Sequence, residues 1–143
     1  MRRVSIGTLV LGLAAVSLAI ALAPAAQAGN EPALKFTRIG TGDGPPKVEG
    51  NSVGFKLILH SRRGVVGTAH LSCKTERTRC SIRSQFREGK IVARGRFNPE
   101  DRVSTFPIGG GSGLFAGAEG VVKLSQYRHT TKTRAVYVLD SLG

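Results

Sequence analysis

The feature that most constrains this chain is a two-residue rhythm running from Cys80 to Phe97. Ile82, Phe86, Ile91, Ala93 and Phe97 alternate with Arg83, Gln85, Arg87, Lys90, Arg94 and Arg96. Successive side chains of an extended strand point to opposite faces, so the rhythm demands a sheet with one apolar and one cationic surface. Glu88-Gly89 reads as a two-residue hairpin turn, pairing Arg87 with Lys90 and Phe86 with Ile91. Continuing that ladder sets Ser84 opposite Ala93, Ile82 opposite Gly95 and Cys80 opposite Phe97. If Cys73 faces Cys80, Leu71 lies opposite Ile82 and Ala69 opposite Ser84. Val53, Phe55, Leu57 and Leu59 join the apolar face when the loop at 61–64 sets the matching register. A one-residue slip would turn them outward.

From Val53 onward, short strands are separated by turn signals at about the eight-to-twelve-residue spacing of an all-β domain. No segment after the first 28 residues offers a persuasive amphipathic helix, and no long internal repeat is present. Residues 29–50 read as an irregular segment punctuated by Gly40, Gly42, Gly44, Gly50, Pro45 and Pro46, in which only Leu34 to Ile39 suits a short strand. The length, 143 residues, allows one domain of ordinary size. Periodicity alone is satisfied by a barrel and by a sandwich.

The first 28 residues read as a signal peptide. Arg2 and Arg3 precede an apolar run to about Leu22, Pro24 breaks it, and Ala26-Gln27-Ala28 presents small residues at a cleavage site. Cleavage after Ala28 removes two of the 21 Lys+Arg and none of the 9 Asp+Glu, leaving a secreted chain of net charge +10. No later stretch is long or apolar enough to span a bilayer. In an oxidising compartment the two cysteines, Cys73 and Cys80, are expected to form one disulfide.

Few residues offer chemistry. Val53 to Lys74 holds no carboxylate, and Glu76, Glu88, Glu100, Asp101, Glu119 and Asp140 mostly fall in or beside turns, so no carboxylate pair for acid–base work is visible. His60 and His70 fall on the outer face, where a solvated imidazole is the ordinary outcome, and nothing brings His129 to them as a metal site. Tyr127 and Tyr137 are late-strand hydroxyl donors that more often serve as packing residues with a wet tip. No cofactor or metal is implied. The basic surface formed by Arg83, Arg87, Lys90, Arg94 and Arg96 sets Arg83 opposite Arg94 and Arg87 beside Lys90, and such like-charge neighbours invite an anionic polymer or surface. Phe55, Phe86 and Phe97 fall on the apolar face instead of between the cations, which argues against nucleic acid.

Residues 107–120 read Pro-Ile-Gly-Gly-Gly-Ser-Gly-Leu-Phe-Ala-Gly-Ala-Glu-Gly. This resembles the I-x-G-G-T-G-x-Y-x-G-A-x-G signature of dirigent proteins and bacterial allene oxide cyclase-like proteins. Ile108, Gly110, Gly111, Gly113, Gly117, Ala118 and Gly120 match. Ser112 replaces the usual Thr and Phe115 the usual Tyr. The resemblance implies an antiparallel eight-stranded β-barrel over residues 51–143, its lumen lined by the apolar face: Phe55, Leu57, Leu71, Ile82, Phe86, Ile91 and Phe97. It implies a small apolar ligand, with cyclisation or coupling steered by confinement. The acidic residues that plant dirigent proteins carry on early strands are missing here, which weighs against an enzyme. The rival reading is a non-enzymatic interaction protein acting through its basic face. A monomer and a homo-oligomer both remain open.

Overall fold

The computed structural model describes residues 31–143 apart from 77, 99 and 128, so the segment expected to be a signal peptide, residues 1–28, lies outside the described residues. Nine strands follow in order: β1 (Leu34–Gly42), β2 (Lys47–Glu49), β3 (Ser52–Ser61), β4 (Gly64–Lys74), β5 (Arg79–Phe86), β6 (Gly89–Arg96), β7 (Ser104–Gly113), β8 (Glu119–Gln126) and β9 (Thr133–Ser141). All neighbours are antiparallel, in the order β1-β9-β8-β7-β6-β5-β4-β3, and β1 returns to pair with β3. Eight strands thus close into a barrel. Short β2 continues the β1 edge along Ser52–Gly54 of β3. No helix occurs among the described residues.

The barrel begins earlier than the sequence reading placed it. Residues 34–42, of which Leu34 to Ile39 was expected to make a short strand within an irregular segment, form β1, which pairs with β9 over seven positions and with β3 over four. Glycine weakens a strand by about 0.5–1 kcal/mol, which main-chain pairing on two sides outweighs. Gly40 also suits its place, because Leu57 packs against its Cα.

Between β4 and β5 the ladder runs Leu71↔Ile82, Ala69↔Ser84 and Cys73↔Cys80, and the cysteines form a disulfide. Between β5 and β6 the expected register is corrected by two residues. Ser84 pairs with Ile91, Ile82 with Ala93 and Cys80 with Gly95, so Phe97 falls beyond the strand and Arg83 faces Val92 instead of Arg94. The two-residue turn fails because a type I′ turn needs φ > 0 at both central positions, and Glu88 does not adopt it. The turn is wider, and the Glu88 carbonyl accepts the Leu114 N–H at 2.9 Å. A slip of two keeps every side chain on its face, so the inward set survives the error.

Leu59, Ile82, Ile91, Ala93, Phe106, Val122, Tyr137 and Leu139 are each at most 2% exposed and fill the barrel interior. Full burial of one such aliphatic or aromatic side chain contributes about 1.5–3 kcal/mol. Arg83, Arg87, Lys90, Arg94 and Arg96 are exposed.

The glycine-rich segment is the end of β7, a turn, and the start of β8. Two of its glycines are required by backbone contact. Gly113 has φ 62° and passes the Glu88 carbonyl so closely that a Cβ would strike it. Gly120, at φ 143°, sits at a bulge where β8 presses on β9, and a Cβ there would strike the Val138 carbonyl. Gly120→Ala is therefore expected to cost about 3 kcal/mol, from strain and overpacking together. Gly109→Ala, facing open space in the same segment, should be neutral or slightly stabilising. Urea denaturation of the two variants checks the contrast.

Candidate functional site: the open end of the barrel

The two ends of the barrel are built differently. At one end, where β5 finishes and the β7–β8 turn lies, four aromatic rings close the interior. Phe36 stacks on Tyr137 with centroids 4.8 Å apart. Phe86 meets Phe36 and Tyr137 edge-on at 5.6 and 5.3 Å. Phe115, carried by the turn, approaches Phe86 to 5.8 Å and is 3% exposed. Such pairs add about 0.5–1.5 kcal/mol each beyond the area they bury.

At the other end the interior opens into a cavity of about 650 Å³. Phe55, Leu57, Leu71 and Leu124 supply apolar wall, and Phe97 stands at the margin. Asp101 and Arg102 from the β6–β7 connection, Ser104 at the start of β7, and Gln126, Thr131 and Thr133 from around the β8–β9 connection make a polar rim. Lys56 also borders the cavity and forms an ion pair with Asp43 at 2.6 Å. That hydrogen-bonded ammonium holds the exposed Asp43 carboxyl below its usual value.

Four of the seven residues expected to line a lumen therefore do so: Phe55, Leu57, Leu71 and Phe97. The other three do not. Ile82, Phe86 and Ile91, 1–5% exposed, are sealed in the packed core beneath. The expectation erred by treating one continuous apolar face as one continuous void. Alternation tells which way a side chain points, but only packing decides whether space remains in front of it.

The sequence reading also missed Arg38. It stands on an inward position of β1, opposite Ala135. Its guanidinium lies 4.8 Å from the Phe36 centroid, a cation–π distance, and Nε is buried without a hydrogen-bond partner among the described residues. Nη1 donates to the Thr37 carbonyl at 2.9 Å. The alternation Leu34, Phe36, Arg38 within the expected short strand was the available signal.

Beside it, the Tyr137 and Ser84 hydroxyls share a hydrogen bond at 2.8 Å, both fully buried. Burial pushes the Tyr137 phenol up to about 12, against smaller opposing effects of the Ser84 bond and the Arg38 charge. Of the histidines, His60 shares a hydrogen bond with Thr41 at 2.9 Å, and His70 and His129 are exposed. Among the described residues no group of three or more His, Cys, Asp or Glu is placed to hold a metal ion, and no helix is long and apolar enough to cross a membrane.

No protein-family model matches the sequence, and no curated protein matches it. Solved structures do share the fold. A pyocyanin demethylase superposes with a TM-score of 0.61 at 22% identity, covering 77% of this chain and all of its own. An exo-specific intermolecular Diels-Alderase gives 0.58 at 17% identity, covering 74% of this chain and 96% of its own. A pterocarpan synthase dirigent protein gives 0.52 at 17% identity over 74% and 85%. The architecture is that of the dirigent and allene oxide cyclase-like barrels.

The buried phenol sets a pH dependence. Its folded value lies above the ordinary 10.0, so its contribution is complete below about pH 10 and is lost as pH rises through about 12. The expected loss across that window is about 2–3 kcal/mol. Tyr137→Phe should flatten that fall while lowering stability near neutrality by about 1–3 kcal/mol, since Ser84 loses its partner. Urea midpoints of both proteins on either side of the window check it.

Proposed function

We propose that this chain is a secreted barrel that holds one small, mainly apolar molecule in its open end and steers that molecule's cyclisation or coupling by confining it. The observation that carries the reading is the cavity itself. About 650 Å³ lies within the usual range for small-molecule sites, and apolar walls with a polar rim are their ordinary composition. Phe55, Leu57, Leu71 and Phe97 are assigned to ligand contact, with Leu124 added. The rim offers one carboxylate, the exposed Asp101, and no matched acid–base pair. Bond reorganisation helped by orientation alone suits such a lining, because holding reacting atoms in an attack geometry lowers a barrier without proton transfer. The fold shared with a Diels-Alderase and a dirigent protein supports the same reading. Secretion is supported by the signal-like start of the sequence and by the Cys73–Cys80 disulfide.

A neutral fluorescent probe, N-phenyl-1-naphthylamine, tests the cavity without engaging the protein's charge. Wild type is expected to give a saturable rise in emission at one site. Leu71→Trp, which fills the cavity, should weaken binding at least tenfold. Phe97→Ala, altering a side chain already 38% exposed, should weaken binding at a cost of less than about 1 kcal/mol in stability, against about 3–5 for Phe106→Ala in the core. Absence of binding by wild type, or equal binding by a folded Leu71→Trp protein, overturns the assignment.

A further inference from the structure

The strand registers place the outward residues of β3 to β6 in rows across the sheet. One row is Ser52, Lys74, Arg79 and Arg96, and the next is Gly54, Ser72, Ser81 and Arg94. A third is Lys56, His70, Arg83 and Val92. No carboxylate stands in these rows. Glu49 on β2 borders the first beyond Ser52, and Asp43 occupies Lys56. Lys74, Arg79, Arg94 and Arg96 have no ion-pair partner among the described residues.

The rows differ in reach. The long cationic side chains of the first row stand beside a second row that is short on β3, β4 and β5, leaving a trough bordered by serine. A concavity of about 580 Å³ is found there, bordered by Ser52, Ser72, Ser81 and the four unpaired cations. Alternate residues along a strand lie about 6.7 Å apart, which is the distance between the first row and the second. Neighbouring cations within the first row stand about one strand spacing, 4.8 Å, apart.

We infer that this trough is a binding groove for an acidic polysaccharide, distinct from the barrel cavity, with Lys74, Arg79, Arg94 and Arg96 contacting its anionic groups and Ser72 and Ser81 its hydroxyls. Like charges set directly opposite on neighbouring strands destabilise a sheet. Here three stand in one row, and a chain carrying regularly spaced carboxylates or sulfates offsets that repulsion. A recessed floor with hydroxyl donors suits a single extended sugar chain better than the flat plane of a bilayer. The rows carry no Phe, Tyr or Trp side chain on which nucleic-acid bases would stack.

The test measures affinity of the purified protein for polygalacturonate and for dextran sulfate across a salt series. Two doubly substituted proteins are compared, R79S/R96S and K35S/K123S. Both lose the same charge, but Lys35 and Lys123 are exposed on β1 and β8, away from the trough. Binding by wild type should weaken as salt is added. R79S/R96S should bind at least tenfold more weakly, K35S/K123S within twofold of wild type, and the polymer held more tightly identifies carboxylate or sulfate as the preferred group. R79S/R96S should also melt no lower than wild type, having lost a repulsion, and should bind the neutral naphthylamine probe unchanged. Equal losses in both variants would reduce the effect to bulk charge and overturn the groove. So would single-stranded DNA or anionic vesicles binding as tightly as the polysaccharides, or wild type failing to bind at low salt.

Discussion

Closure of the sheet rests on the four-residue ladder between β1 and β3, from Ile39↔His60 to Gly42↔Leu57. The pairings from β2 to β9 follow from chain order, hairpin after hairpin, and β9 then pairs back to β1. An open sheet of the same strands would present two free edges and an apolar face to water. With the β1–β3 contact made, that face turns inward and the outer surface becomes the polar one. Gly40 sits within the ladder, where the lack of a side chain lets Leu57 lie over the strand.

The enclosed volume is then divided by side-chain size. Phe36, Phe86, Phe115 and Tyr137 consume the space at one end, and Leu59, Ile82, Ile91 and Phe106 fill the middle. Toward the other end Leu57, Leu71 and Leu124 do not reach one another across the barrel, and the space they leave is the cavity. An eight-stranded barrel is near the width at which side chains just fill it, so modest changes in size along the axis decide between core and cavity.

Most of the architecture was legible in the sequence. The alternation from Cys80 to Phe97 defined the faces, and the Pro107–Gly120 segment chose a barrel over a sandwich. The Cys73↔Cys80 register followed from requiring the cysteines to meet. What was not legible depended on contacts distant in sequence. The wider β5–β6 turn reflects its hydrogen bond to Leu114, and the strand at 34–42 exists because β9 and β3 flank it. The candidate site was half legible. Direction could be read for Phe55 and Leu71, but emptiness could not, since it depends on what stands opposite. Arg38 lay within the short strand expected at Leu34 to Ile39, but that strand's place in the barrel wall was not legible. The cationic pairing was misplaced with the hairpin register: Arg79 and Arg96, not Arg83 and Arg94, face each other.

The contrast between the barrel's ends bears on how such a molecule would diversify. At the aromatic end each ring touches others, so exchanging one disturbs several neighbours at once. At the open end Phe55 and Phe97 are 39% and 38% exposed, and the rim is carried on connections between strands. Mutational drift there encounters little structural resistance. Substitutions at the open end can therefore retune what the barrel accommodates while the packing that folds it stays intact.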